Sequence, residues 1–291
     1  MTDAISERGR AIYGPTPPGQ AIPCRRTTPL DAVERATVVE LIAAGREERR
    51  SVVLPEQLQT RDWESVTQVA LDLDERLGWE PIGWKIGAAS DEIRRSEGLP
   101  GAAPGRIYRS TVFDSPASLA AELFINYRNV ECEFAFRLGR TLPIRADGYR
   151  EDEVADAIES LLPTLEIGDT VFEDWYGSSG FFGSCLDNGG GAALVCGDPV
   201  ADWRGLDLPN ARIEISLNGQ RINEGYGRAA MGHPLTSLTW LVNWLGEHGR
   251  ELVAGEIVST GTCTGHCFCL PGDTVSVDFG PFGVLTASFE P

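Results

Sequence analysis

Lysine is almost absent from this sequence of 291 residues: Lys85 is the single lysine, and arginine supplies the other 24 of its 25 basic side chains. Positive charge is scarce as well, because 43 acidic residues give the chain a net charge of −18. Nucleic acids and anionic membranes bind surfaces of positive charge, so both are excluded as general partners. We therefore expect small-molecule or protein partners, with no nucleic acid and no membrane.

Long apolar runs are also missing. The sequence contains no stretch of about 18 apolar residues, which is the length needed to span a membrane. The polar start Met1–Ala4 lacks the apolar segment of a secretion signal. The seven cysteines are odd in number and scattered, which is not typical of a secreted disulfide framework. The sequence predicts a globular, cytoplasmic protein.

The lone lysine lies in an unusual local setting. Surface lysines exchange readily with arginine, but a compact ammonium in a tight site cannot be replaced by a planar guanidinium. The segment Gly83–Gly87 surrounds Lys85 with apolar residues and glycines, which let a backbone approach a ligand closely. We interpret Lys85 as a functional residue, and the alternative is a lysine retained by chance.

Two acids lie on one face of a predicted strand, Asn129–Phe136. Because successive strand side chains alternate, Glu131 and Glu133 share one face while apolar residues occupy the other. Carboxylates two strand residues apart lie roughly 6 to 7 Å from each other and can converge on one cation. A metal site is one interpretation, and a solvated acidic face beside Arg137 and Arg140 is the other.

Glu166 is the candidate for a third ligand. It interrupts the apolar start of another predicted strand, between Leu165 and Ile167. An acid in such surroundings is seldom buried without a partner. Three carboxylates of this kind would suit a divalent cation.

A cysteine and histidine group near the C-terminus offers a different metal site. Its four soft ligands for zinc would be Cys263, His266, Cys267 and Cys269, but three of them fall within four residues, unlike the paired spacing of structural zinc sites. Buried free cysteines are the alternative. His266 also follows a turn rich in glycine and hydroxyl groups, residues 260–265, whose amides could bind a carboxylate; a loop without a ligand is the alternative.

The predicted elements divide the chain into three parts. Residues 1–28 lack periodicity and predict an arm that is disordered or lies across a neighbour. Residues 29–80 predict a helical N-terminal portion, and residues 81–291 a mainly β domain with a tight Asn-Gly hairpin at 218–219. Helices are predicted at 31–50, 60–78, 151–162 and 235–248, and strands at 82–89, 106–113, 130–138, 165–172, 191–196, 211–217, 221–226, 256–260, 273–279 and 283–289.

Seven motifs follow one another in a fixed order between residues 80 and 290. They are Gly83–Gly87, Glu131-x-Glu133, Leu165–Ile167, Gly225–Pro234, Trp240–Asn243, Ala254–Val258 and Gly272–Val275. In this order and spacing they resemble the fumarylacetoacetate hydrolase superfamily, in its branch of 2-keto-4-pentenoate hydratases and 2-oxohex-3-enedioate decarboxylases.

The resemblance implies a mainly β fold with helices, a mixed β-roll or barrel of the fumarylacetoacetate hydrolase C-terminal type, assembled as a homo-oligomer. It implies Mg²⁺ or Mn²⁺ on Glu131, Glu133 and Glu166, since such ions prefer oxygen ligands. Lys85 would bind the same end of a small anionic 2-oxo acid substrate or move a proton. Further expected substrate contacts are Gly87, Ser90, Asp187, Thr264 and Gly265.

Two departures from the family pattern concern proton transfer. Family hydratases carry an acid in a Pro-Asp-x-Gly turn, where this chain has Ala103-Pro104-Gly105. The family also tends to place a serine where this chain has Gly189–Gly191, and His266 occupies a position that is usually small or apolar. We therefore expect His266 to take the catalytic role of the missing acid.

The resemblance implies a divalent-metal-dependent hydratase, a lyase that adds water to a 2-oxo or 2-hydroxy-dienoic acid through a metal-stabilised enolate. Decarboxylation of a related diacid and hydrolytic C–C cleavage of an acylpyruvate use the same enolate and stay open. A non-catalytic family member, acting as a scaffold or partner subunit, is the alternative of another class. The three glutamates and the single lysine argue against it.

Overall fold

The structure is a computed structural model that describes residues 26–173 and 180–291. Its helices are α1 (Ala32–Glu48), α2 (Trp63–Leu77), α3 (Asp91–Glu97), α4 (Glu151–Ala155), α5 (Gly180–Leu186) and α6 (Pro234–Glu247). Its strands are β1 (Pro81–Gly87), β2 (Ala103–Tyr108), β3 (Val112–Asp114), β4 (Ala117–Leu119), β5 (Asn129–Leu138), β6 (Ile158–Gly168), β7 (Gly191–Cys196), β8 (Arg212–Leu217), β9 (Gln220–Tyr226), β10 (Ile257–Ser259), β11 (Cys267–Phe268), β12 (Thr274–Asp278) and β13 (Val284–Phe289). Within the described part of the chain, no helix is both long enough and apolar enough to cross a membrane.

One large sheet curls into a half-barrel. Eight strands of the described residues form it in the order β2-β1-β10-β5-β6-β7-β3, with β11 paired to β5. The two edge strands, β2 and β3, are joined by the short turn Arg109–Thr111, so the edges of the sheet lie close together. This confirms the predicted mainly β architecture and divides the single strand that was predicted at 106–113.

The inner face of the half-barrel has a polar end and an apolar end. Glu131, Glu133 and Ala135 point to the same side of β5, because side chains two positions apart share a face. Ala135 belongs to an apolar cluster whose other buried members are Ile107, Leu162, Leu194, Cys196 and Ile257. The acids therefore lie at one end of a face whose other end is filled by apolar side chains.

The outer face of β5 packs against the rest of the core. Phe134 is fully buried and meets Phe279 and Phe282, in the turn between β12 and β13, at ring-centroid distances of 5.6 and 4.9 Å. These two strands belong to a second sheet of order β4-β13-β12-β8-β9, in which Asn218 and Gly219 form the predicted β8–β9 hairpin with φ of 52° and 78°. Close-packed aromatic rings hold β5 firmly, so the strand that carries two acids has a fixed backbone.

The N-terminal helices begin where side-chain caps predict. Asp31 caps α1 and Asp62 caps α2 by accepting backbone N–H groups. Both helices contribute to a second apolar cluster that includes Phe182 of α5 and Phe268 of β11. Of the predicted arm, the first 25 residues lie outside the described residues.

The helix predicted over 151–162 forms only over its first five residues, and the rest of the prediction is wrong. α4 ends at Ala155, and β6 begins at Ile158 and continues through Pro163. Most of β6 is buried on both faces, so its sequence is a continuous apolar run. A buried helix can have the same kind of sequence, and the two cannot be distinguished by periodicity. Pro163 is tolerated because its backbone faces away from β5, toward Gly197, and the ladder between β6 and β7 begins only at Thr164, so the missing N–H removes no ladder hydrogen bond.

Candidate metal centre and substrate cavity

The three predicted metal ligands point to the same inner face. Glu131 and Glu166 are direct partners across the antiparallel ladder of β5 and β6, and Glu133 lies opposite Thr164 on the same ladder. Directly opposed strand residues have Cβ atoms about 4.5 to 5.5 Å apart. The structure therefore brings together the three acids that the sequence selected, including the one that is distant along the chain.

Glu133 is the most deeply buried of the three. Its Oε2 accepts hydrogen bonds from the Ser259 hydroxyl at 2.7 Å and from the Gly261 N–H at 2.8 Å. Its other oxygen, Oε1, has no donor among the described residues. Burial, and then repulsion by Glu166 and Glu131, raise the pKa of Glu133 well above its ordinary value. A buried carboxylate oxygen without a partner is a position that a cation would satisfy.

Glu131 is paired with a histidine. His266 Nδ1 lies 3.0 Å from Glu131 Oε1, and Asn129 Nδ2 lies 2.8 Å from both of these atoms. Burial alone would raise the pKa of Glu131, but the charge and hydrogen bond of His266, together with Lys85 and Asn129, lower it. Burial would lower the pKa of His266, and Glu131 reverses this and raises it. The pair therefore favours a carboxylate beside an imidazolium.

Glu166 is paired with the lone lysine. Lys85 Nζ lies 3.3 Å from Glu166 Oε1 and also donates to the carbonyl oxygen of Gly189. Burial raises the pKa of Glu166, and the charge of Lys85 opposes that rise. Lys85 is only 3% exposed. Because an ammonium has three N–H donors, these two contacts leave one for an incoming anion.

The glycine run before β7 makes space for polar groups of the site. A Cβ on Gly189 would lie 2.6 Å from Lys85 Nζ, and a Cβ on Gly190 would lie 2.6 Å from Ser184 Oγ. Both glycines have positive φ, 61° and 74°, which residues with a side chain rarely adopt. The run that replaces the family's serine therefore shapes the surroundings of Lys85 and Ser184.

A cavity of about 240 Å³ opens onto these groups. Glu131, Glu166, Lys85 and His266 all line it, so the predicted catalytic residues and two of the predicted ligands share one space. Three predicted substrate contacts, Gly87, Ser90 and Gly265, line it as well. The cavity is large enough for a small organic acid and is reached by the lysine.

The donors suit a hard divalent cation but are not gathered around one point. Among residues 26–173 and 180–291, no three His, Cys, Asp or Glu side chains are already arranged to hold a metal ion. Lys85 and His266 instead compensate the charges of Glu166 and Glu131. Neighbouring carboxylates repel each other and seek such partners when no cation lies between them. The unpartnered Oε1 of Glu133 and two facing carboxylates fit a Mg²⁺ or Mn²⁺ ligand set, after side-chain rotation.

Two of the predicted substrate contacts, Asp187 and Thr264, do not line this cavity. Asp187 is fully buried, and its carboxylate forms an ion pair with Arg46 and accepts a hydrogen bond from the Val171 N–H. Thr264 is buried, and its carbonyl oxygen accepts a hydrogen bond from Asn223 Nδ2 at 2.6 Å. These contacts join the segments of Asp187 and Thr264 to α1 and β9 respectively.

The alternative zinc site is not formed. His266 lies against Glu131, while the Sγ atoms of Cys267 and Cys269 lie 3.9 Å apart in the buried interior. Burial, and then the charge of a nearby carboxyl group, raise the pKa of the Cys263 thiol well above its ordinary value. Zinc binds thiolates, so a thiol held in its protonated form is a poor ligand. The interpretation of buried free cysteines is confirmed for the six cysteines that the structure describes.

Several polar residues that line the cavity were not predicted, among them Asn129, Ser184 and Thr262. Asn129 shares the face of Glu131, two positions earlier on β5, so strand alternation could have identified it. Ser184 lies on α5, a helix of seven residues that was not predicted because two of the seven are glycines, which are poor helix formers. Thr262 is two residues before Thr264 in the same turn. Only the folded structure shows which of the two threonines lines the cavity.

The sequence of this chain matches the sequence model of a known protein family over the strands that carry the three acids. The model described as fumarylacetoacetate (FAA) hydrolase C-terminal matches residues 109–290, which is more than half of the chain. This chain belongs to that family. The matched residues include β5 and β6 with all three acids, whereas Lys85 precedes the match.

Two curated relatives are named as hydratases. The 2-hydroxyhexa-2,4-dienoate hydratase of Comamonas testosteroni is 30% identical over 221 residues, which cover 75% of this chain and 82% of that protein. The 2-keto-4-pentenoate hydratase of Paraburkholderia xenovorans is 28% identical over 214 residues, which cover 74% of this chain and 78% of that protein.

A solved structure resembles the whole described fold. It is the 4-oxalocrotonate decarboxylase from Pseudomonas putida G7 in complex with magnesium and adipate, with a TM-score of 0.79 at 22% identity. The match covers 91% of this chain and 100% of that chain. At this identity the likeness concerns the fold.

Proposed function

We propose that this chain is a divalent-metal-dependent lyase that adds water to a 2-oxo or 2-hydroxy-dienoic acid through its enolate. The observation that carries the proposal is the meeting of three carboxylates and the lone lysine on one inner face of the sheet, with Lys85 and two of the acids lining a single cavity. The relatives named as hydratases and the magnesium in the structurally similar decarboxylase support it.

Glu131, Glu133 and Glu166 would hold Mg²⁺ or Mn²⁺ in this proposal. A bound divalent ion supplies a Lewis acid that lowers the free energy of an enolate and compensates the charge of the acids. Lys85 would use its remaining N–H to bind the carboxylate or oxo oxygen of the substrate. His266, at the cavity wall beside Glu131, is proposed to hold or accept a proton in place of the family's acid.

The reaction type can be tested directly. The purified protein is incubated with Mg²⁺ or Mn²⁺ and a panel of 2-oxo and 2-hydroxy-dienoic acids, and the products are identified by mass. We expect gain of water. Loss of CO₂ or cleavage of the carbon chain would replace the hydratase by a decarboxylase or a C–C hydrolase, and no turnover together with no binding of either ion would support a scaffold role.

Two further properties stay proposals. We propose that the protein works in the cytoplasm and as a homo-oligomer. Light scattering of the purified protein measures its assembly, and fractionation of the cells that produce it measures its location; a monomer or a secreted protein would contradict them.

A further inference from the structure

Arg46 of α1 reaches from the N-terminal helices to the segment 187–191, which precedes and begins β7. Its Nε donates to the carboxylate of Asp187, and its Nη2 donates to the carbonyl oxygen of the same residue at 3.2 Å. Its Nη1 donates to the carbonyl oxygen of Gly191, also at 3.2 Å. The side chain of Arg46 is only 10% exposed. Because its donors form a rigid planar fork, one guanidinium binds both ends of the segment.

The middle of the same segment binds the lone lysine. The carbonyl oxygen of Gly189 accepts a hydrogen bond from Lys85 Nζ. Lys85 and Arg46 also line the same small cavity, of about 30 Å³, together with Glu166. The residue that accepts from Lys85 is therefore two positions from each residue that accepts from Arg46.

Other contacts hold the residues on either side of Gly189. Asn188 exchanges two side-chain hydrogen bonds with the backbone of Arg106, and the carbonyl oxygen of Gly190 accepts from the Asp169 N–H. Gly189 has a positive φ of 61° and the wide conformational freedom of a glycine. The direction of its carbonyl group therefore depends on how the flanking residues are held.

A role as counter-ion accounts for part of what Arg46 does. Asp187 is fully buried, and a buried carboxylate is costly without a cation beside it. The contacts of Arg46 with Asp187 satisfy that requirement. The contact of Nη1 with Gly191 lies at the other end of the segment, so neutralising Asp187 does not explain it.

We propose that Arg46 is a positioning residue for Lys85. It holds the segment so that the carbonyl oxygen of Gly189 faces the ammonium, and this contact directs the remaining N–H of Lys85 into the substrate cavity. Arg46 itself does not line that cavity and lies outside the residues matched by the family model. Its effect on catalysis rests on the proposed function, in which Lys85 binds the substrate.

The first test observes Lys85 directly, without metal or substrate. Because Lys85 is the single lysine, protein grown with lysine labelled with ¹³C at Cε gives one side-chain signal in NMR spectra. The two ε-protons of a held side chain have separate shifts, whereas rapid rotamer exchange averages them. We expect separate shifts in the wild type and a clearly smaller separation in Arg46→Gln. Arg46→Gln/Asp187→Asn serves the same purpose if the single variant does not fold, because it leaves no buried charge unpaired.

Arg76→Gln is the matched control. Arg76 of α2 pairs with Glu40 and Glu47 of α1, so this variant also removes an arginine that ties α1 to its surroundings, at a distance from the segment 187–191. It should keep the wild-type separation of the ε-proton shifts. The wild-type separation in the Arg46 variants, or the same decrease in the control, would overturn the inference.

The second test measures turnover of 2-hydroxyhexa-2,4-dienoate with saturating Mn²⁺. Loss of a partner that orients a metal ligand costs about 10- to 100-fold, and we expect kcat/KM to fall about 10-fold in Arg46→Gln. Arg46→Lys should stay as low, because an ammonium keeps the charge but cannot span Asp187 and Gly191. Unchanged kcat/KM in Arg46→Gln, or recovery of the wild-type value in Arg46→Lys, would show that the positioning role is wrong.

The two tests separate this inference from the proposed function. If the signal of Lys85 changes in Arg46→Gln but the wild type converts no 2-oxo or 2-hydroxy-dienoic acid, the contact between the two residues is right and the proposed function fails. If the wild type is active and the signal of Lys85 stays the same in Arg46→Gln, the proposed function stands and the inference about Arg46 is wrong.

Discussion

Glu131 and Glu166 face each other across the β5–β6 ladder, and each is paired with a different cationic side chain. His266 Nδ1 lies 3.0 Å from the first carboxylate, and Lys85 Nζ lies 3.3 Å from the second. Like charges that oppose each other on adjacent strands destabilise a sheet. The side chains of His266 and Lys85 offset that repulsion. A divalent ion between the carboxylates would compete with these two side chains for the carboxylate oxygens.

Glu133→Gln should abolish tight binding of a divalent ion. Glutamine keeps an oxygen for Ser259 and Gly261 but removes the charge that Oε1 offers. Loss of even an outer partner of a metal ligand costs about 10 to 100-fold in affinity, so we expect loss of a ligand to exceed about 100-fold. Calorimetric titration with Mn²⁺ measures it. Glu92→Gln, an acid of the same cavity outside the cluster, should keep the wild-type affinity for Mn²⁺.

The same substitution should change the dependence of stability on pH. The pKa of Glu133 in the fold lies well above the ordinary value, first because of burial. The unfolded chain, with a pKa of about 4.3, therefore loses its proton first, and the metal-free wild type loses stability as pH rises from that value through the folded pKa. Glu133→Gln should lack this decline. Denaturation of both proteins in a chelator at several pH values checks it, and parallel curves would contradict it.

Lys85→Arg should lower kcat/KM by about 100-fold, the scale of a lost proton-transfer or charge contact. The backbones of Gly105 and Gly189 close around the lysine side chain, and a Cβ on Gly105 would lie 2.7 Å from its Cε. A guanidinium is wider than an ammonium and cannot take the same place. Arg109→Lys, the reverse exchange at a side chain that is 64% exposed, is the control. Unchanged kcat/KM in Lys85→Arg would remove Lys85 from the mechanism.

Gly189→Ala should reduce activity more than stability. The new Cβ would meet Lys85 Nζ, which is the end of a flexible side chain, so the ammonium moves and the backbone stays. The positive φ of 61° adds a conformational cost of about 1 kcal/mol. Gly219→Ala has the same kind of cost, at φ 78°, with open space around it, and should lose stability alone. Equal kcat/KM in the two variants would contradict the role of Gly189.

His266→Gln should alter the pH–rate profile. Glu131 raises the pKa of His266 above the ordinary imidazole value against the effect of burial, so the wild-type rate should fall as pH rises through that pKa if the imidazolium is the acid. The glutamine variant should lack this fall and be slower at low pH. His248→Gln, at the end of α6 and stacked on Trp244 at 4.0 Å, should keep the wild-type profile. A profile unchanged in His266→Gln would show that this role is wrong.

Sequence reasoning succeeded where one local rule decides the outcome. Alternation along β5 placed Glu131 and Glu133 on one face, and the register of β5 with β6 then added Glu166, as the resemblance implied. Lys85 was identified because it is the single lysine of the sequence, and its side chain lines the same cavity. The assignment of these residues to metal and substrate stays a prediction.

Prediction from the sequence was not sufficient where tertiary contacts determine the structure. The apolar residues of β6 satisfy helical and strand patterns alike, so burial on both faces was needed to distinguish them. Asp187 follows α5 and precedes the glycine run, yet its partner Arg46 comes from α1, about 140 positions earlier along the chain, and no local pattern indicates that pair. The choice between Thr262 and Thr264 likewise depends on how one turn folds.

A crystal structure of the protein grown with Mn²⁺ and 2-oxohexanoate would test directly whether the three glutamates bind one ion, because anomalous scattering locates the ion. We expect one anomalous peak within about 2.0 to 2.6 Å of carboxylate oxygens of Glu131, Glu133 and Glu166, with the 2-oxo acid on its open side next to Lys85. A peak elsewhere, or an ion that leaves Glu166 paired only with Lys85, would contradict it.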